Sequence, residues 1–285
     1  MTIEKVAVIG AGQMGRGIAQ VFATAGKSVI VCDINDTIIA NSKAALESGF
    51  AKQVSRGKMT QEAVDELTAR MTFVASTDYV GVVEDVDLVV EAAVERVDLK
   101  KSIFQKLDSA TKPECILATN TSSISITEIA SAVQSKDKVI GMHFFNPPVA
   151  MKLIEVIRGG NTSDETYDTI FSLSQEIGKT PVTVAEAPGF VCNRLLVPMI
   201  NEAVELVYTG VASAEDIDTA MKLGCNHPMG PLTLADFIGL DTCLAIMDTI
   251  YSETHDSKYR ASLLLRKMVR AGKLGNKTGE GFFKH

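Results

Sequence analysis

Along residues 5–185, short runs of β-branched and aliphatic residues alternate with amphipathic stretches, the pattern that builds a mostly parallel sheet from βαβ units. The expected strands are the runs at 6–9, 28–32, 73–75, 88–91, 116–119, 139–143, 153–157 and 181–184. From about 36 to 70 the rhythm changes. This stretch is polar and charge-laced, with apolar residues at helical spacing, a break at Gly57 and a restart after Thr60, an N-cap residue type followed by Gln61 and Glu62. It reads as a helical hairpin projecting from the sheet. Beyond Ala187-Pro188-Gly189 the strand pattern stops, and helical spacing predicts helices over 190–208, 213–223, 231–250 and 259–271. Ser213-Ala-Glu-Asp216 carries a capping pattern, and Pro231 suits a first helical turn. The expected organisation is therefore an α/β domain over 1–187 with the hairpin inserted, followed by an all-α domain over 188–285.

Composition narrows the class. A chain of 285 residues is long enough for two cores, and 46% hydrophobic with 22% charged residues is ordinary for a globular protein. The formal net charge of -7 gives a polyanion the wrong sign over most of the surface, which argues against sequence-independent nucleic-acid binding. No apolar run reaches the roughly 18–20 residues of a membrane span, and the best candidate, 195–207, is interrupted by Pro198, Asn201 and Glu202. The first residues run into a strand without a basic and apolar leader pattern, so a cytoplasmic location is expected. Five widely spaced cysteines, Cys32, Cys115, Cys192, Cys225 and Cys243, read as reduced thiols and not as a zinc or disulfide framework.

The most informative local pattern is Gly10-Ala-Gly12-Gln13-Met14-Gly15, set between a strand and an apolar-periodic helix. Gly10 permits the tight turn, Gly12 lets backbone N–H groups approach a pyrophosphate at the helix N-terminus, and Gly15 lets helix and strand pack closely. A second strand then ends at Asp33, eighteen residues past Gly15, where a carboxylate meets the adenosine ribose hydroxyls. The coincidence of strand, loop, helix, strand and acid predicts a Rossmann-type dinucleotide-binding domain. Asp33 would repel a 2′-phosphate, and Ile34, Asn35, Asp36 and Thr37 offer no arginine to receive one, so NAD(H) is expected over NADP(H).

A dinucleotide site does not specify a reaction, so the substrate and proton-handling groups must lie elsewhere in the chain. Thr119-Asn120-Thr121-Ser122-Ser123 is a polar cluster after a buried-type strand, where ligands of open α/β sheets bind; helix capping by Ser125 is the plainer role of this segment. The segment Gly141-Met-His143-Phe-Phe-Asn146-Pro-Pro148 carries the only histidine of the α/β domain. An alcohol losing hydride needs a base for its proton, and imidazole titrates closest to neutral pH, although a lone histidine between aromatics is also a common packing residue. Glu155, in the middle of the apolar run Leu153-Ile-Glu-Val-Ile157, needs a buried partner. An imidazole on the preceding strand would supply one, giving a base and the carboxylate that orients it.

Together, Gly10 to Gly15, Glu91-Ala-Ala-Val-Glu95, Asn120-Thr-Ser-Ser123, His143-Phe-Phe-Asn-Pro147, Met151-Lys-Leu-Ile-Glu155, Pro188-Gly-Phe-Val-Cys-Asn-Arg194, Gly230-Pro-Leu232 and Lys277-Thr-Gly-Glu-Gly-Phe282 run through the whole chain in order. In this the chain resembles the short-chain L-3-hydroxyacyl-CoA dehydrogenase family. The resemblance implies an NAD-dependent oxidoreductase interconverting 3-hydroxyacyl-CoA and 3-oxoacyl-CoA esters, with 3-hydroxybutyryl-CoA and acetoacetyl-CoA as the expected pair. It implies His143 as the proton-transfer residue, Glu155 as its orienter, and Ser122 and Asn193 as substrate contacts. On the cofactor side it implies Asp33, Glu95, Lys100, Asn120, Ser122, Asn146 and Lys277 beside the glycine-rich loop. It also implies closure of the two domains about a hinge near Ala187–Gly189.

Coenzyme A phosphates need cations, which Lys52, Arg56 and Lys58 of the hairpin would supply, with Ser48 beside them; a solvated helix face is the alternative for the same residues. The apolar helix faces after residue 188 exceed what one small domain buries, so a homodimer through that domain is expected. Two further alternatives stay open: a related dehydrogenase of free hydroxy acids, and a non-catalytic dinucleotide-binding sensor or crystallin-like protein.

Overall fold

In the computed structural model, which describes residues 2–285, each expected strand segment lies within a strand, and all eight strands join one sheet. They are β1 Lys5–Ile9, β2 Ser28–Asp33, β3 Met71–Ala75, β4 Leu88–Glu91, β5 Ile116–Thr119, β6 Val139–Phe144, β7 Leu153–Arg158 and β8 Thr180–Ala185. Their order is β3-β2-β1-β4-β5-β6-β7-β8. The central strands are apolar on both faces because helices cover both, which is why they read as continuous hydrophobic runs and not as alternating ones. Pairing is parallel except between β6 and β7, which run antiparallel.

The helices of this unit are α1 Gln13–Thr24, α2 Asp36–Ser55, α3 Gln61–Ala69, α4 Val97–Ala110, α5 Ile126–Ala130 and α6 Asp164–Glu176. Asn35 and Thr60 cap α2 and α3 by accepting from Ile38 N–H and Ala63 N–H, at 3.0 and 3.2 Å. The hairpin of α2 and α3 does not project from the sheet as the sequence suggested. Ile39, Leu46 and Phe50 of α2 and Val64 and Leu67 of α3 are buried in the main core, with Phe22, Val29, Val31 and Met71 of that same core. These apolar stripes lay the hairpin against β2, β3 and α1.

A first compact unit ends at Glu186 and a second begins at Ala187. The second is all helical: α7 Cys192–Tyr208, α8 Ala214–Gly224, α9 Pro231–Ile238, α10 Leu240–Thr254 and α11 Leu263–Arg270. The single helix expected over 231–250 is in fact two, because Gly239 takes φ 105°, outside the helical region, and ends α9 before α10 starts. The helix expected from 259 begins only at Leu263, where the Ser262 hydroxyl accepts from Leu264 N–H at 3.2 Å; Ser257–Tyr259 is a separate 3₁₀ turn. Two motifs of this unit have structural reasons. Buried Asp218 accepts from Leu232 N–H at 2.8 Å, and a Cβ on Gly230 would fall 2.1 Å from its carboxyl carbon. Buried Asp236 accepts from Phe282 N–H and Phe283 N–H, each at 2.9 Å, and a Cβ on Gly281 would sit 2.0 Å from its Oδ1.

Candidate active site

The glycine-rich loop connects β1 to α1, and its three glycines meet different surroundings. A Cβ on Gly10 would lie 2.6 Å from Ala92 O, and one on Gly15 only 1.7 Å from Gly10 O, so both are held by close backbone packing. At Gly12 a Cβ would meet nothing within 4 Å. Gly12 is the N-cap of α1 and provides no side-chain cap, so the helix opens onto accessible space with its first N–H groups directed there. That geometry fits a pyrophosphate. Asp33, at the end of β2, accepts from Ala11 N–H at 2.6 Å and Ile34 N–H at 2.7 Å, which fixes its carboxylate beside the loop. Met14 is half-buried behind the loop, and exposed Gln13 donates through Nε2 to Asn146 Oδ1 at 3.1 Å, joining the start of α1 to the segment after β6.

The ends of β4 and β5 carry an ionic network. Glu91, fully buried, accepts from Lys100 Nζ at 2.7 and 2.9 Å, from Thr119 Oγ1 at 2.7 Å and from Ala93 N–H at 2.7 Å. Lys100, also buried, lies 3.3 Å from Glu95 Oε2. Glu95 Oε1 in turn accepts from Thr121 Oγ1 at 2.6 Å, Ser122 N–H at 2.9 Å, Ser123 N–H at 3.2 Å, Ser123 Oγ at 3.1 Å and Ser122 Oγ at 3.3 Å. Burial pushes the Glu95 carboxyl up, but the Lys100 charge and the Thr121 and Ser122 donors outweigh it and hold the group below its ordinary range. Asn120 ties the same turn to two strands: its N–H donates to Glu91 O at 2.7 Å and its Oδ1 accepts from Phe144 N–H at 2.8 Å.

His143 and Glu155 are directly opposite each other in the antiparallel β6–β7 register. Opposed residues of such a pair point to the same face with Cβ atoms roughly 4.5–5.5 Å apart. His143 Nδ1 lies 2.8 Å from Glu155 Oε2, Glu155 is fully buried and His143 is 6% exposed, so the imidazole retains a small opening to solvent. The Phe145 ring packs against it at 4.6 Å between centroids.

The remaining expected residues fall on two other surfaces. On α2, Ser48 and Lys52 are four residues apart, Arg56 follows at the same spacing as the C-cap and Lys58 lies just beyond; all four are exposed. In the second unit, Asn193 is the second residue of α7, and Lys277 is paired to Asp241 at 2.8 Å and to Thr242 Oγ1 at 3.0 Å. All five cysteines are free thiols, and burial pushes Cys32 up to about 11 and Cys115 and Cys243 up to about 12, which keeps them protonated at neutral pH. No group of acidic, histidine or cysteine side chains with metal-binding geometry occurs among the described residues, and no helix is long and apolar enough to cross a membrane.

Sequence reasoning placed Thr119 in the polar cluster and Glu91 in a family motif, but missed that Glu91 is a buried acid partnered by Lys100 and Thr119. The signal was present, because Leu-Val-Val-Glu91 ends an apolar strand with an acid, as Leu-Ile-Glu155 places one inside it.

The family description "3-hydroxyacyl-CoA dehydrogenase, NAD binding domain" matches residues 5–187, and "3-hydroxyacyl-CoA dehydrogenase, C-terminal domain" matches residues 189–285. A 3-hydroxybutyryl-CoA dehydrogenase of Clostridioides difficile is 53% identical over 279 residues, covering 98% of each chain. The human mitochondrial hydroxyacyl-coenzyme A dehydrogenase is 44% identical, covering 99% of this chain and 91% of that one. The crystal structure of an (S)-3-hydroxybutyryl-CoA dehydrogenase from Ralstonia eutropha matches with a TM-score of 0.94 at 46% identity, covering 100% of this chain and 99% of that one.

Proposed function

The chain belongs to the 3-hydroxyacyl-CoA dehydrogenase family, a family of oxidoreductases with an NAD-type dinucleotide domain, and from this premise we propose that it interconverts (S)-3-hydroxybutyryl-CoA and acetoacetyl-CoA with NAD(H), using His143 and Glu155 as its acid–base pair. The observation that carries the reading is the buried cross-strand contact of 2.8 Å between His143 and Glu155, one strand away from the polar turn that follows β5.

The nicotinamide, when bound, supplies or takes up the hydride at the substrate's C3. The protein's part is binding, orientation and the proton. An ionised carboxylate only accepts hydrogen bonds, so Glu155 requires the proton on Nδ1 of His143 and leaves Nε2 to give or take the proton of the 3-oxygen. In the reducing direction the doubly protonated imidazole offers Nε2–H to the oxygen as negative charge grows there, and the Ser122 hydroxyl shares that charge. Glu155 stabilises the positive ring, which makes it an electrostatic partner as well as an orienter. The loop Gly10–Gly15 with Gln13 and Met14 holds the dinucleotide, with Asn146 bonded to Gln13 beside it. Asp33 selects NAD(H), since its carboxylate is fixed where a 2′-phosphate would bring like charge. Asn193 and Lys277 enter on the family resemblance, as substrate and cofactor contacts respectively.

For the coenzyme, the exposed stripe of Ser48, Lys52, Arg56 and Lys58 is the proposed phosphate contact. Arg56→Glu then raises KM for the CoA ester and leaves NADH binding unchanged; an unchanged KM removes the stripe from the site. Exposed Leu195, Val211, Leu223, Phe237 and Leu263 in the second unit support a homodimer through that unit, which light scattering reads directly.

The test of the reaction follows NADH absorbance with acetoacetyl-CoA, beside free acetoacetate, NADPH and the His143→Ala variant. Turnover that requires the CoA ester, prefers NADH and collapses in the variant supports the proposal. Equal activity on the free acid assigns a different substrate class, and no turnover despite NADH binding removes the catalytic reading.

A further inference from the structure

Residues 145–152 join β6 to β7, between His143 and Glu155, and carry Asn146. The carbonyls of such a connection lie outside the sheet ladder and need donors, yet Pro147 and Pro148 have no N–H to give. Pro147 O is met from within, accepting from Ala150 N–H and Met151 N–H at 3.0 Å each. The carbonyls of Pro148 and Met151 are met from outside by one group, Lys179 Nζ, at 2.6 and 2.8 Å. The end of α6 brings Lys179 there. Gly178 takes φ 75°, its N–H donates to Gln175 O and Lys179 N–H donates to Ser174 O, both at 3.0 Å, the paired bonds that turn a chain off a helix end. Thr180 N–H then donates to Lys152 O at 2.7 Å, so the backbone of Lys179 is fixed on both sides. Among the described residues no carboxylate pairs with this lysine; Glu176, three residues back, pairs with Lys27 at 2.6 Å. Burial accordingly pushes the Lys179 ammonium below its ordinary value. A half-buried cation that faces neutral carbonyls is a poor source of stability, and what it supplies is a fixed position for the groups it holds.

We propose that Lys179 is a positioning residue for the cofactor: by holding the carbonyls of Pro148 and Met151 it fixes the β6–β7 connection and so sets the Asn146 amide against the glycine-rich loop. The proposal rests on the placing of Asn146 beside the dinucleotide given above. The contact from Gln13 to Asn146, at 3.1 Å, joins two exposed side chains. An exposed amide–amide bond competes with water and cannot hold a loop by itself. The buried residue of the connection is Pro148, and its neighbours on two sides decide where Asn146 stands. On one side is α1, so close that a Cβ on Gly17 would fall 2.8 Å from Pro148 Cδ. On the other side is the Lys179 ammonium, bonded to the Pro148 carbonyl. The residue type suits the task. Two carbonyls are acceptors only, and an ammonium carries three N–H donors and no acceptor on one centre, so a single side chain satisfies both. Without it, both carbonyls lose their donor and Pro148 is held by α1 alone.

The experiment uses the full-length enzyme with Lys179→Met, Lys179→Arg, Asn146→Ala and the double variant Lys179→Met/Asn146→Ala. It measures NADH Kd by nucleotide fluorescence below the thermal midpoint, kcat and KM with acetoacetyl-CoA, and the midpoint itself. Methionine keeps an apolar stem and removes every N–H, whereas arginine keeps several donors on a cationic head. The expected result for Lys179→Met is an NADH Kd raised about 3- to 10-fold, with KM for acetoacetyl-CoA changed less than about twofold. Lys179→Arg is expected within about twofold of the parent, and equal losses with arginine and methionine overturn the proposal. The double variant is expected within about twofold of Asn146→Ala alone, since a residue that acts through another adds little once that other is gone. Losses that multiply in the double variant overturn the proposal. So does an unchanged NADH Kd with a lowered midpoint, which makes Lys179 structural only, and so does a raised KM for acetoacetyl-CoA at unchanged NADH Kd, which makes it a substrate contact. If Lys179→Met fails to fold, Gly17→Ala decides, because its Cβ pushes Pro148 from the α1 side; the NADH Kd is then expected to rise at least about twofold, and an unchanged Kd overturns the proposal. Failure of the underlying reading looks different: Asn146→Ala then binds NADH as the parent does, and this proposal falls with it. An impaired Asn146→Ala beside an intact Lys179→Met rejects the positioning role alone.

Discussion

Replacing Glu155 by Gln tests the acid–base reading at its centre, because it removes one charge and almost no volume. The Gln carbonyl can still accept from His143 Nδ1–H across the present 2.8 Å, so the tautomer that leaves Nε2 free is preserved. What is lost is the attraction between the carboxylate and a positively charged ring. With an effective dielectric of about 20 and charge centres about 4 Å apart, that attraction is about 4 kcal/mol. A neutral hydrogen bond retained in the variant returns about 1 kcal/mol of this. The net penalty of about 3 kcal/mol falls on the imidazolium and corresponds to a rate loss of roughly 150-fold. In the oxidising direction the ring gains its charge during the reaction, so the loss belongs in kcat, with KM for the hydroxyacyl ester and NAD affinity nearly unchanged. Steady-state oxidation of 3-hydroxybutyryl-CoA, with a thermal melt to show that the fold persists, is the assay. A kcat within about threefold of the parent enzyme, in a folded variant, refutes the electrostatic role assigned to Glu155.

Three other outcomes follow from the geometry. Gly12→Val weakens NADH binding at least about tenfold without lowering the melting temperature, because the side chain fills the open space at the helix N-terminus, whereas Gly15→Ala destabilises the fold by about 2 kcal/mol or more through collision with Gly10 O; calorimetric titration and thermal melts separate the two. Ser42→Ala stabilises by about 1 kcal/mol in urea unfolding, since Ser42 is 2% exposed, its hydroxyl has no hydrogen-bond partner among the described residues, and alanine is the better helix former. Asp87 is pushed up by burial, but Lys112 and the N–H groups of Glu4 and Lys5 outweigh this and hold it below its unfolded value of 3.8. Its contribution is therefore complete above that pH and is lost as pH falls through the lower folded value. Asp87→Asn accordingly costs about 1–2 kcal/mol at neutral pH, and the difference from the parent shrinks below pH 3.8 in unfolding titrations.

How much of this was legible in the sequence depended on how local each cause is. The strands were readable because a strand covered on both faces must be apolar throughout, and Leu88–Glu91 and Ile116–Thr119 have the bounds the pattern gives. The direction of β7 was not in that pattern, because an apolar run looks the same in either orientation. It was in the spacing: the eight residues between Phe144 and Leu153 are too few for a parallel crossover, which needs about a dozen or more. The break at Gly239 was invisible for another reason. Apolar periodicity continues across it, and only its φ of 105° shows that one helix ends there and another begins. The hairpin was recognised as helical, but its docking was underestimated, since Leu46, Phe50, Val64 and Leu67 reveal their role only when the core they join is known.

The two buried carboxylates of the sheet show where sequence reading stops and structure becomes necessary. Glu91 and Glu155 give the same signal, an acid in an apolar strand that must find a partner, and in both cases the partner is long in coming along the chain or lies across a register. The partner decides the chemistry. Glu91 meets the Lys100 ammonium, and that buried ion pair ties the end of β4 to α4. Glu155 meets an imidazole, the side-chain type whose ordinary titration lies closest to neutral pH, and on the proposed reading it attends a proton as it moves on and off that neighbour. One sheet thus contains a buried carboxylate–ammonium pair and a buried carboxylate–imidazole pair, and Asn120 bonds the turn beside the first to the strand of the second. On the proposed acid–base reading, disrupting the second pair changes what happens to the substrate's proton, while the first pair carries no proton that the reaction moves.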